Sequence, residues 1–197
     1  MKTIKFFSIL LLSVVLMTSV TACKGDDGAD GQDGNANVQT YVYNNPAWDA
    51  APNTSRMLID MSSVLTNDII ENDVILGYVK NTNMSYVFPI PGDVWTGVVH
   101  RNYTMYINGS PSSYTTVPDF NIMIVSLELD GSYTPNSHLR EMEWFKCIII
   151  ESTNTTTATG NGRSVSPKQA VKNELADAGV DINDYYAVCA YYGINPE

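Results

Sequence analysis

Three regimes of hydrophobic patterning divide the chain. Phe6 to Met17 form a predominantly apolar run of 12 residues behind Lys2 and Lys5. Between residues 38 and 151 the period is mostly two. Met57, Ile59 and Met61 alternate with Leu58, Asp60 and Ser62, and Tyr103, Met105 and Ile107 alternate with Thr104, Tyr106 and Asn108. Alternation of this kind predicts half-buried strands. Phe120 to Leu129 and Phe145 to Ile150 are apolar on both faces, which predicts central strands. Pro89, Pro91, Gly92, Gly109, Pro111 and Pro118 punctuate the intervals, and Thr66 to Asn72 fits one helical turn between strands. Short strands separated by turn residues predict a mainly β, antiparallel sandwich-like domain.

The period changes after a Thr/Ser/Asn-rich stretch, Ser152 to Ser164, whose lack of large apolar residues predicts a loop. Ser166-Pro167-Lys168-Gln169 fits a capping box with proline at the first helical position. Val171, Leu175 and Ala178 then recur at helical spacing and Gly179 stops the run, which predicts a helix over 167–178. A second helix, 184–192, would bring Tyr185, Val188, Cys189 and Tyr192 onto one face before Gly193. Two short amphipathic helices after a β-domain are expected to pack on it, covering an open sheet end or edge, or the core.

The N-terminal run is too short to span a bilayer, which takes about 20 residues. Charged start, short apolar middle and small residues before the cut describe a secretory signal peptide over 1–22. Val20-Thr21-Ala22-Cys23 resembles the lipobox of bacterial lipoproteins, which implies that Cys23 is acylated and becomes the mature N-terminus. Lys24 to Asn37 follows, with glycine at 25, 28, 31 and 34. Four triplets without proline fall short of a collagen helix, and no calcium-loop pattern is present. Residues 23–37 therefore read as a lipid-anchored flexible tether whose Gly25 to Asn37 coil spans about 20 Å, ahead of a domain over 38–197. Without the signal peptide the chain carries nine basic and 21 acidic residues, a formal charge of −12. That balance argues against nucleic acid or an anionic lipid surface as partner.

A lipobox, collagen-like triplets and Asn37-Val38 opening a strand together resemble a group of Bacteroidota lipoproteins of unassigned function. The likeness extends through Ser63 to Val79, with its Thr66-Asn67-Asp68-Ile69 run, through Phe145 to Ile150 and through Tyr185 to Ile194. This chain departs from the group in having Asp73 where those proteins have glycine. The resemblance implies an envelope location and a fold, and supplies no catalytic residues. It also implies that Lys24, Asp26 and Asp27, directly after the anchor cysteine, act as the sorting signal for the cell surface. An inward-facing lipoprotein with a solvated acidic linker is the alternative.

Candidate chemistry is sparse. His100 and His138 lie in segments of different character, with no metal-ligand spacing. Neither a nucleophile elbow, a zinc-protease motif nor a phosphate loop occurs, so no catalytic, metal or cofactor site is expected. Asp68 with Glu71, and Glu141 with Glu143, are paired carboxylates in sequence, but glycosidase pairs come from separate elements facing a cleft. Trp48, Trp95 and Trp144, with Tyr103, Tyr106 and Tyr114, are the candidates for a glycan-stacking platform. The competing reading places the tryptophans in the core. Cys147 and Cys189 are expected as buried free thiols, with a disulfide as the alternative that oxidising conditions allow. The sequence thus points to a non-enzymatic binding or structural module on the outer membrane, held by acyl chains on Cys23, with a glycan or protein ligand. A small glycan- or peptide-directed hydrolase is the second reading.

Overall fold

The computed structural model describes residues 37–49, 54–95, 100–109, 119–152 and 165–196, all within the second of two units of the chain, Asn35–Glu197. The signal peptide, Cys23, Lys24, Asp26, Asp27, the tether up to residue 36 and the loop at 153–164 lie outside the described residues. The strands are β1 (Val38–Asn44), β2 (Arg56–Asp60), β3 (Val74–Asn81), β4 (Val87–Ile90), β5 (Gly92–Trp95), β6 (His100–Asn108), β7 (Asn121–Leu127) and β8 (Met142–Ile150). The helices are α1 (Asn67–Asn72), α2 (Pro167–Asp177) and α3 (Tyr185–Tyr192). A first sheet has the order β1-β8-β3-β4 and a second the order β2-β7-β6-β5, and every pairing is antiparallel. This is the mainly β, sandwich-like fold with two short C-terminal helices that the periodicities predict.

Strand alternation sorts the core into two layers. Phe145, Cys147 and Ile149 of β8 and Val79 of β3 meet Met57, Ile59, Tyr103, Ile122 and Ile124 of the second sheet. The intervening residues, Val74, Leu76 and Tyr78 of β3 with Ile148 and Ile150 of β8, point the other way. They are covered by Val171 and Leu175 of α2 and by Tyr185, Val188, Cys189 and Tyr192 of α3. The first sheet is thus buried on both faces, which explains the continuous apolar run Cys147 to Ile150 in β8. Of the expected placements, a sheet end or edge or the core, the structure shows the last: the helices lie across a sheet face. An outer face of five buried apolar side chains cannot be left to water, and it demands the helices more strongly than an edge does.

Local signals at the helix ends work as the sequence predicts. Thr66 Oγ1 accepts the Ile69 N–H (3.2 Å) and Ser166 Oγ accepts that of Gln169 (3.3 Å). Asp184 accepts from the N–H groups of Tyr186 and Ala187. α2 closes with Gly179 at φ 73° and the Val180 N–H bonded to the Leu175 carbonyl. Asp73, the departure from glycine, is buried and accepts both the N–H (3.0 Å) and the hydroxyl (3.3 Å) of Ser152, tying the start of β3 to the end of β8. The expected strand from Phe120 to Leu129 is shorter at both ends. Phe120 takes φ 55°, and Glu128 to Ser132 form a turn closed by the Glu128 N–H on the Ser132 carbonyl.

Cys147 and Cys189 are free, buried and on opposite faces of the first sheet. Burial pushes the Cys147 thiol up to about 12. Both are therefore expected to resist an alkylating reagent in the native protein and to react fully in denaturant. Intact-mass measurement on the non-reduced chain checks this. A mass two hydrogens lower, with no adducts after unfolding, would instead reveal a disulfide.

Candidate functional site

The aromatic candidates do not converge. Trp48 donates its indole N–H to the Arg140 carbonyl (2.8 Å), sets its ring edge-on to Tyr103 and packs against the inter-sheet core. Trp144 lies on the helix side of β8 against Tyr185, with a centroid distance of 5.7 Å. Trp95 alone is largely exposed, at 56%, and stacks on His100. Tyr103 is buried, Tyr106 is exposed on β6 and Tyr114 lies outside the described residues. Trp95 and Trp144 lie on strands of different sheets and Trp48 in the segment after β1, so the three tryptophans share no platform.

The paired carboxylates also stay apart in role. Asp68 accepts from Asn72 on exposed α1, while Glu143 is paired with Lys80 at 2.9 Å. His138 stands 3.9 Å from Glu128. Among the described residues no three ligating side chains gather into a metal site.

Two buried cationic clusters have no counterpart in the sequence reading. Lys146, on the helix side of β8, is 2% exposed and donates to the Tyr185 hydroxyl and to the Pro196 carbonyl (3.3 Å). Its ammonium also lies over the rings of Trp144 (5.2 Å) and Tyr185 (5.0 Å). Tyr185 donates in turn to Pro196 (2.6 Å), so this group fastens the C-terminal segment to the sheet. Burial holds the Lys146 pKa below its usual value. At the start of β6, Arg101 is buried between the sheets with one Nη 3.5 Å from Glu128, beside the buried Tyr103 hydroxyl and Asn81. Strand parity decides that Arg101 points inward, and no local motif marks it.

The cavity lies elsewhere, and the backbone explains why. The Asn45 N–H donates to the Glu143 carbonyl (2.9 Å) and the Glu151 N–H to the Asn37 carbonyl (3.0 Å). Odd residues of β8 therefore bond to β1 and even residues to β3. Val74, Leu76 and Tyr78, opposite Ile150, Ile148 and Lys146, face β8, whereas Ile75, Gly77 and Val79 direct their N–H and C=O groups to the other side. There Gly77 meets Ile90 and Val79 meets Phe88. Pro89, opposite Tyr78, sits at the position where its missing N–H is not needed. At Pro91 the chain leaves the first sheet and enters β5 of the second. Among the described residues Ile75 is thereby left with no strand opposite its backbone on that side.

A cavity of about 330 Å³ occupies this gap. Its walls are β3 from Val74 to Tyr78 and the Pro89–Pro91 corner, with Met105 and Ile107 of β6 also lining it. Gly77 matters here, because a Cβ would come within 2.7 Å of the Met105 sulfur. Lys168 and Lys172, one turn apart on α2, and the Ile182–Asn183 turn complete the lining. Lys168 donates to the Ile70 carbonyl at the end of α1 (2.7 Å), and Lys172 is exposed. Burial, then the neighbouring Lys172 charge, lowers the Lys168 pKa, while Asp73 acts against both. The i, i+4 spacing of the two lysines is the one sequence signal for this site; their proximity to β3 leaves no trace in the sequence. No protein-family model matches the chain, and comparison with curated proteins and with solved structures finds no match.

Proposed function

We propose that this protein is a lipid-anchored binding module of the cell envelope, held to the outer membrane through acyl chains on Cys23, and that its ligand site is the cavity beside Ile75. The carrying observation is that cavity: an apolar space at a strand edge with no strand opposite among the described residues, and two lysines in its lining. Pockets of this size with a few convergent polar groups suit small ligands. The lipobox and tether support the location, and Lys24, Asp26 and Asp27 support an outward-facing domain.

Residues 24–197, which hold the whole described unit, serve for the binding test. Titration with a set of small apolar fragments should shift the Ile75 amide and the Met105 and Ile107 methyl resonances together, leaving the Trp95 indole in place. Shifts scattered over the surface would remove the cavity as the site. For the anchor, Cys23→Ala is expected to abolish fatty-acid labelling and release the protein from membranes. Protease applied to intact cells should remove the domain from the unaltered protein, and joint alanine replacement of Lys24, Asp26 and Asp27 should protect it. Labelling that survives Cys23→Ala, or a domain digested only after lysis, would count against the anchor or the outward orientation respectively.

A further inference from the structure

A ligand class can be assigned to the cavity beside Ile75, on the footing that this cavity is the ligand site. We propose that it takes a single-chain aliphatic carboxylate of about ten carbons, its chain against Met105 and Ile107 and its carboxylate on Lys168 and Lys172. Three observations converge on this.

The first is size. An apolar cavity of about 150 Å³ holds one benzene, so 330 Å³ takes roughly a dozen non-hydrogen atoms by the same measure. That accommodates one medium alkyl chain with its headgroup and excludes a two-chain lipid.

The second is charge. The lining carries Lys168 and Lys172 in a domain otherwise rich in carboxylates. One oxygen of each nearby acid is already engaged. Asp73 accepts from Ser152, and Asp181 accepts from the backbone and side-chain amides of Asn183. The ammonium groups are not: Lys168 donates one bond, to Ile70, and Lys172 has no hydrogen-bond or ion-pair partner among the described residues. Among the described residues the two lysines together donate one hydrogen bond, so donor capacity remains for an anionic headgroup.

The third is the shape of the strand edge. β4 pairs with β3 from Gly77 onward, so the gap offers the single N–H of Ile75. A peptide adding as a strand needs a row of such groups, whereas an alkyl chain needs none. The edge therefore favours the amphiphile over an extended peptide.

Calorimetric titration of residues 24–197 with decanoate, decanol and decyltrimethylammonium, each below its micelle concentration, tests the assignment. Decanoate should bind with one-to-one stoichiometry, decanol roughly tenfold more weakly and the cation not at all. Lys168→Gln with Lys172→Gln should weaken decanoate roughly tenfold and leave decanol unchanged. Ile107→Trp, which fills the cavity, should block both. Lys172→Gln alone, at an exposed position, supplies a variant whose folding is not at issue, and it should weaken decanoate by a few-fold. Equal affinity for decanoate and decanol, insensitive to the lysines, would overturn the carboxylate while the cavity stands. Failure of every decyl probe, with fragments still shifting Ile75, would overturn the aliphatic class. Failure of the fragments as well would take down the cavity as the ligand site.

Discussion

Removing residues 165–197 is expected to leave a chain that no longer folds to a stable monomer. The deletion uncovers Val74, Leu76, Tyr78, Ile148 and Ile150, which α2 and α3 bury against the outer face of the first sheet. Each aliphatic side chain of this kind contributes about 1.5–3 kcal/mol on burial, and a whole domain is stable by only about 5–15 kcal/mol. The loss therefore approaches the entire stability. The same deletion takes away Tyr185 and Pro196, the acceptors of the buried Lys146 ammonium. Light scattering should report aggregates, and near-ultraviolet circular dichroism should lose its fixed aromatic signals. A monomer with an unchanged melting temperature would show the helices to be an appendage. A milder version is Leu175→Ala, a fully buried position, with an expected cost of about 2–5 kcal/mol in denaturant unfolding.

Alkaline pH should unfold the protein cooperatively, and the sign follows from burial. Tyr78, Tyr103, Tyr185 and Tyr192 are all held above the ordinary tyrosine value of 10.0, chiefly by burial, Tyr103 reaching about 12. Cys147 and Cys189 are likewise held above 9.0, again chiefly by burial. Above these ordinary values the unfolded chain gives up protons that the folded chain keeps, so stability is complete below them and falls as pH rises. Each fully buried group removes about 1.4 kcal/mol per pH unit. Tyr78, Tyr103 and Cys147, none of them accessible to solvent, together remove about 4 kcal/mol per unit above pH 10. Lys146 and Lys168 have the opposite sign. Burial lowers both below 10.5, so the unfolded chain holds their protons more strongly and they add stability as pH rises toward that value. Two such groups do not offset six. The tyrosinate absorbance of the buried tyrosines should therefore appear in one step that coincides with loss of β-sheet circular dichroism, within about one to two pH units above 10 by the same slope. Gradual, independent titration of Tyr78, Tyr103, Tyr185 and Tyr192 with the fold intact would show that they are not packed as described.

Much of the fold was legible because its determinants are local. Alternation in Met57–Met61 and Tyr103–Ile107 needs only the two-residue repeat of a strand. Ser166-Pro167 and Gly179 mark a helix start and stop because unpaired backbone groups at helix ends select particular side chains. The face formed by Tyr185, Val188, Cys189 and Tyr192 follows from 3.6 residues per turn, and all four are buried. Even the double-sided apolar run in β8 announces a strand covered on both sides. The surface that α2 and α3 cover is another matter, since an apolar stripe on a helix states that it needs a partner and not which surface that partner is.

The candidate site belongs to the other category. Its parts come from β3, the corner at Pro91, β6 and α2, as many as 98 residues apart in the Lys168 to Ile70 bond. Sequence spacing carries no information about such distances. The three tryptophans show the same thing in reverse: chemically alike, they are sent to three different surroundings by the segments they occupy, two of them strands of different sheets and the third the segment after β1. Patterning, capping and the charge balance were therefore determined by the sequence itself, because each depends on neighbours within a few residues or on composition alone. The open edge at Ile75, the inward turn of Arg101, the buried ammonium of Lys146 and the meeting of two lysines with an apolar cavity were decided only by the tertiary structure, because hydrogen-bond parity and the packing of distant elements set them.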